Sequence, residues 1–360
     1  MNDNVRPSKS LLSVQTVVIL AVLWAVVSLV VFLLGSPIEP RPQWYGIATY
    51  ALENLAFLGA ALLCLRNWRS SQIVSGRAVW LLFAIGMLSY FAGNLILGWW
   101  ELVWNLSPEV SPADFFYLLT YLVLGIGMLL AVVSKRLNLT VVQYGIVLAI
   151  AIVGFALAYF VSYGGGDDSG ALPLSPERSQ GQLAQVILPA AIALEPPVSE
   201  TVWLAQAPPP PAAPAPEPAP ESATPPPPPV PIENEAGGDT PAPSAPEWVT
   251  ELNATLEPYA GPVGLLYVAG DVFLLVMATI LLLAFWGGRF STSWRFIAAA
   301  AFSFYIADIW FAYAITRLDD YETGELPEVF WIFSAVLFSI GAALEYSLST
   351  RSRRGMRRRS

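Results

Sequence analysis

Residues 11–34 read LLSVQTVVILAVLWAVVSLVVFLL, 24 consecutive positions without a charged side chain. A membrane-spanning helix needs about 20 predominantly apolar residues. The stretch is too long for a removed signal peptide and lacks its small-residue cleavage site, so it reads as a retained transmembrane helix. Seven further stretches of similar character follow at residues 44–65, 79–99, 114–133, 141–161, 259–286, 294–316 and 329–348. The fold class is therefore an all-α polytopic membrane protein with eight transmembrane helices. The composition agrees: 12% of the 360 residues are charged and 55% are hydrophobic. A soluble domain carries about 25% charged residues.

Loop charge sets the orientation, because Lys and Arg stay on the cytoplasmic side. With the N-terminus inside, 15 of the 18 basic residues fall in inner loops or tails. Arg41, Arg178 and Arg317 are the exceptions. Acidic residues distribute the other way, and Asp3 is the one acid in an inner loop or tail. Eight helices with both termini cytoplasmic, in a bacterial inner membrane, fit this alternation. The net charge of −9 then divides into a basic inner face and an acidic outer one. Arg353, Arg354, Arg357, Arg358 and Arg359 form a juxtamembrane basic tail. Attraction to anionic lipid, about 1 kcal/mol per residue near the surface, accounts for it.

Of the 31 prolines, 23 lie between residues 162 and 258. This composition does not bury enough apolar surface to offset ordering entropy, and it favours extended polyproline II. The expected domain plan is five helices in residues 1–161, a largely disordered acidic extracytoplasmic insert at 162–258, three helices in 259–348, and the tail at 349–360. The insert is either a solvated outer loop or a ligand for an extracytoplasmic partner.

A shift of 214 residues aligns parts of the chain with itself. Trp80 meets Trp294, Ser89 meets Ser303, Asn94 meets Asp308, Asp114 meets Glu328, Phe116 meets Phe330, Tyr117 meets Trp331 and Gly127 meets Gly341. Glu53 pairs with Asp271 after a small length change. The equal spacing of polar residues favours a parallel duplication of a four-helix unit (4+4) over chance similarity in a biased composition.

Glu53 and Asp271 lie near mid-span, and Asn94 and Asp308 lie toward the outer third of their helices. A charge at such depth costs at least about 2.5–3.5 kcal/mol on insertion scales. No basic residue lies at matching depth. These acids either carry a proton or pair with Asn54, Asn94, Tyr50, Tyr90, Tyr267 or Tyr305. An ion, proton or ligand site and simple interhelical hydrogen bonding both remain open. Asp114 and Glu328, at helix starts, fit a capping role. Trp44, Trp99, Trp100, Trp104, Trp286 and Trp294 sit at span ends, as in an aromatic belt.

With no histidine and no lysine inside a span, histidine-ligated haem and a retinal Schiff base are excluded. No nucleotide-binding loop, nucleophile elbow or metal-ligand cluster is visible. No cofactor, no nucleic-acid partner and no enzymatic activity are expected.

The element Ser111-Pro112-Ala113-Asp114-Phe115-Phe116-Tyr117, followed by Tyr121 and Gly125, and the run Gly270-Asp271-Val272-Phe273 resemble a recurring motif. It belongs to integral membrane input modules that precede diguanylate cyclase or histidine kinase domains in bacteria. The resemblance implies about eight helices and marks Asp114, Tyr117 and Asp271 as family-type positions. No output domain is expected after Arg359. The expected function is a non-enzymatic, stand-alone sensor-like or scaffold module that binds a partner or small ligand. A structural subunit of a larger membrane complex and an ion or small-solute transporter are the alternatives.

Overall fold

A computed structural model describes residues 13–38, 40–133, 140–163, 245–285, 291–318 and 321–357. The described residues all belong to one compact unit, and residues 168–239 lie outside them. The elements are α1 (Val14–Gly35), α2 (Gln43–Arg69), α3 (Arg77–Trp104), α4 (Pro112–Val133), α5 (Val141–Tyr163), α6 (Glu247–Leu256), α7 (Ala260–Ala284), α8 (Ser291–Arg317) and α9 (Val329–Arg357). Short 3-10 turns at Glu257–Tyr259 and Leu326–Glu328 lead into α7 and α9. Eight of these segments are long and apolar enough to cross a membrane, with α6 continuing into α7 as Glu247–Ala284. This is the architecture of a multi-pass membrane protein.

Six helices close a ring: α2 packs on α3, α3 on α4, α4 on α7, α7 on α8, α8 on α9, and α9 returns to α2. Helix α1 lies against α9 and α2, and α5 lies against α7 and α8. These two outer helices carry broad exposed apolar faces, with Leu20, Leu23 and Leu34 on α1 and Val142, Val153 and Phe160 on α5. A patch of that extent is anomalous in water and ordinary against lipid.

Local chemistry explains where helices begin and end. Ser13 caps α1 by accepting from the Thr16 N–H at 3.1 Å. Asn105, at φ 51°, ends α3 in the left-handed conformation that asparagine tolerates, and the Leu106 N–H returns to the Trp100 carbonyl. Helix α4 starts with a reciprocal capping box: the Ala113 N–H donates to Ser111 Oγ at 3.2 Å and the Ser111 N–H donates to Asp114 Oδ2 at 2.7 Å. At the same end of the bundle, Arg41 bonds the carboxyl of Glu325 and the Thr323 carbonyl. The basic exception of the charge rule is thus neutralised where it stands.

The core fills the middle of the ring, where aromatic side chains of α3 and α8 meet from opposite sides. Trp80 and Trp294 are fully buried with ring centroids 6.1 Å apart, and Tyr90 meets Phe304 at 5.5 Å. The belt expectation needs correction here. Trp44 and Trp99 are exposed as expected, but Trp294 and Trp100 are buried, because their faces turn toward neighbouring helices. Trp100 instead packs on Trp104 and Trp248 of α6 and donates to Asn253 Oδ1 at 3.2 Å. Trp286 lies outside the described residues.

The structure also moves one boundary. Residues 247–256, counted with the insert, form α6, which the buried Val249 and the contact of the exposed Trp248 with Trp100 and Trp104 hold against the bundle. Residues 164–244 of the insert lie outside the described residues. So do Arg358 and Arg359, whereas Arg353, Arg354 and Arg357 fall on the last turns of α9.

Candidate functional site

Helical spacing brings polar side chains onto single faces. Asp114, Tyr117 and Tyr121 are three and four residues apart on α4, and Tyr267 and Asp271 are four apart on α7. On α3, Tyr90, Asn94 and Glu101 recur near the helical period. All of these faces point into the ring, in the half toward the acidic loops.

There each carboxyl meets a phenol. Tyr90 donates to Glu53 Oε1 at 2.6 Å, Tyr267 to Asp114 Oδ1 at 2.6 Å, Tyr50 to Glu101 Oε2 at 2.7 Å and Tyr321 to Glu328 Oε1 at 2.5 Å. Thr323 Oγ1 donates to Glu101 Oε1 at 3.0 Å and the Gly324 N–H to Glu328 Oε2 at 2.7 Å. Tyr321 lies outside the spans. Burial, and after it the Glu328 carboxyl, push its phenol well above the usual range, so it stays a donor. Asp114 therefore does more than cap, since it ties α4 to α7, whereas the Glu328 side chain does not cap α9 but holds the loop before it through Tyr321 and the Gly324 N–H.

The centre of the arrangement is Tyr121. Its hydroxyl lies 2.9 Å from Asp271 Oδ1 and 2.7 Å from Asp308 Oδ2, so the two carboxyls converge on one phenol. The indole of Trp331 donates to Asp308 Oδ1 at 2.7 Å. A phenol has one hydrogen and donates to one oxygen at a time. Closing the second contact requires a hydrogen carried by a carboxyl. Two ionised carboxylates in contact repel, so the pair holds together by sharing a proton or a cation.

Around this triad stand Glu53, Tyr305, Tyr267 and Tyr90. Among the described residues, no Lys or Arg side chain forms an ion pair with Asp271 or Asp308. Among the described residues no group of three or more Asp, Glu, Cys or His side chains forms a metal-binding cluster.

The sequence-derived candidates thus separate into two neighbouring sets. Asp271 and Asp308 converge on Tyr121, while Glu53 and Asn94 stand beside them with different partners. Asn94 accepts from Tyr117 at 2.9 Å, and its amide nitrogen, buried beside Glu53, closes no hydrogen bond. Of the expected tyrosine partners, Tyr90 and Tyr267 do bind acids. Tyr50 binds Glu101 rather than Glu53, and Tyr305 donates to the Gly154 carbonyl. Glu101 was not singled out, because α3 runs five residues past the expected span end at Trp99. Its place on the Tyr90–Asn94 face was the available signal. The chain matches no protein-family model, no curated protein and no solved structure.

Proposed function

We propose that this protein is a non-enzymatic, sensor-like membrane module whose ligand is a proton shared between Asp271 and Asp308. The observation that supports it is the buried pair of carboxyls meeting on one phenol with no basic side chain opposite. Two carboxyls and a phenol alone do not fill the six oxygen positions of a magnesium ion or the six to eight of a calcium ion, which waters would have to complete. A proton needs no more than these. Withdrawing it leaves two like charges in contact inside an apolar bundle, so the folded state weakens as pH rises through the titration of the pair.

In detergent micelles the melting temperature of the wild type should therefore fall between about pH 5 and 9, with the loss concentrated over one pH step. Asp271→Asn combined with Asp308→Asn, which keeps shape and hydrogen-bonding capacity, should flatten that step. Superimposable profiles for the two proteins would sink the proposal. A proton-coupled transporter would use the same pair, and proteoliposome flux abolished by the double variant would mark that activity. Constant co-purification with a fixed partner, with no pH step, would mark an accessory subunit.

The module reading includes an internal duplication. Three contacts recur at a spacing of 214 residues. Ser89 Oγ donates to the Phe116 carbonyl at 2.8 Å, as Ser303 Oγ does to that of Phe330 at 2.7 Å. The Tyr117–Asn94 hydrogen bond has its counterpart in Trp331–Asp308. Gly127 accommodates Phe83 as Gly341 accommodates Ile297. The first helix of each unit departs from the symmetry, α1 resting on α9 while α5 rests on α7.

The reading also includes an orientation. Arg66, Arg69, Arg77 and Arg295 mark one end of the bundle, which the positive-inside rule makes cytoplasmic, together with both termini. The segment 164–246 then lies on the outer side, where a partner would meet it. Cys64 is buried, so a cysteine introduced as Ser222→Cys is read against a low background. It should react with an impermeant thiol reagent applied to intact cells. Labelling after lysis alone would reverse the orientation.

A further inference from the structure

At the basic end, α2 and α9 border a cavity of about 610 Å³. Arg66, Arg69, Ser70 and Ser71 line it, with Tyr346 on the α9 side. Arg66 and Arg69 are three residues apart and Leu62 precedes Arg66 by one turn, so one helix face carries an apolar step and then two guanidinium groups. Arg66 stacks on the Tyr346 ring, 4.3 Å from its centroid. Its Nε and Nη2 atoms are buried and have no hydrogen-bond partner.

The ordinary account of arginines in the last turn of a helix is that they answer the negative end of its dipole. Arg66 does not cap a carbonyl through these atoms. Among the described residues, no ion pair joins Arg66 to a carboxylate. Two N–H donors of a permanently charged group are thus left without a partner in the wall of a cavity that the rest of the Arg66 side chain helps to line. Guanidinium forks match the oxygens of a phosphate in this way.

We infer that this cavity is a phosphate-binding site, in which Arg66 and Arg69 take the oxygens of a phosphate group and the Ser70 and Ser71 hydroxyls complete the shell. Leu62, exposed on the same face, continues the wall toward the lipid. This favours the headgroup of an anionic phospholipid, since basic pockets between helices at the cytoplasmic side suit such groups. A soluble phosphate shares the chemistry, and the experiment separates the two sources. The site is independent of the Asp271–Asp308 pair and does not rest on its role.

The test uses the full chain, delipidated in a neutral detergent. Native mass spectrometry and thermal melting are followed against phosphatidylglycerol, phosphatidylcholine and inorganic phosphate. Phosphatidylglycerol should bind and raise the melting temperature while phosphatidylcholine does neither. Arg66→Gln with Arg69→Gln should weaken the apparent affinity tenfold or more. Arg77→Gln, which removes one positive charge at the same end but outside the cavity lining, should change it less than twofold.

Should the double variant not fold, Ser71→Glu places a carboxylate at an exposed point of the lining and should weaken binding as strongly. Stabilisation by inorganic phosphate that depends on Arg66 would assign the site to a soluble ligand. Phosphatidylglycerol binding that survives both variants, or that Arg77→Gln abolishes equally, would overturn the inference.

Discussion

Replacing Trp80 by alanine should lower the unfolding free energy by about 3 kcal/mol or more, at the lower end of the range for buried tryptophan. Trp80 is fully buried against Trp294 and Phe83, and its indole N–H donates to Ser75 Oγ at 2.8 Å. In a bilayer the unfolded reference is also apolar, so the transfer contribution shrinks. The void and the lost van der Waals contacts remain, because a close-packed core does not collapse to fill an indole. Removal of the indole also leaves a buried serine hydroxyl without its donor.

Far-UV circular dichroism during detergent-to-dodecyl-sulfate titration measures the loss without relying on tryptophan emission. Leu20→Ala, on the exposed face of α1, should cost well under 1 kcal/mol by the same assay. Trp294→Ala should match Trp80→Ala, and the double variant should cost less than the sum, since the two rings share one cavity. A loss below about 1 kcal/mol for Trp80→Ala would show that the aromatic core between α3 and α8 does not hold the ring together.

The two tryptophans also show what sequence can and cannot convey in such a chain. Span number was legible because 20 apolar residues are a length, and length is read directly from the chain. The order of helices in the ring was not. Lipid tails are as apolar as leucine, so apolar faces carry no address for a partner. The contact that brings α9 back to α2 illustrates the difficulty. The Asn67 side-chain amide donates to the Ala342 carbonyl at 2.9 Å, a pairing across 275 residues to a main-chain atom that no side-chain pattern announces.

Trp294 sits at the start of its span, where belt and core tryptophans look alike in sequence. Asp271 and Asp308 were conspicuous because acids are costly at that depth. Tyr121 stands out only as a trailing member of the Ser111–Gly125 motif, and its link to the two acids does not, because a tyrosine in an apolar run is ordinary. Its role depends on α4 and α7 meeting, and Gly270 permits that approach: a Cβ there would lie 2.7 Å from the Tyr121 ring.

Tyr121→Phe is the sharper probe of the site, since it deletes one oxygen and leaves the packing volume nearly unchanged. The hydroxyl is the shared third member for two carboxyls. Its loss leaves Asp271 Oδ1 and Asp308 Oδ2 short of a partner in a place water does not readily supply one. The cost of an unsatisfied buried polar group is about 1–3 kcal/mol. Interhelical hydrogen bonds in bilayers average about 0.6 kcal/mol, with a maximum near 1.7.

The expected loss is about 2 kcal/mol, above that average, because one deletion affects two acceptors. Tyr305→Phe gives the comparison, since that hydroxyl serves a single backbone carbonyl. It should cost about 1 kcal/mol or less. In a background carrying Asp271→Asn and Asp308→Asn, the Tyr121→Phe loss should shrink to the Tyr305→Phe level. The amide groups then supply donors of their own and satisfy one another without the phenol. Equal losses in both backgrounds would mean that Tyr121 contributes packing alone. The hydrogen shared among the three groups would then have no bearing on stability.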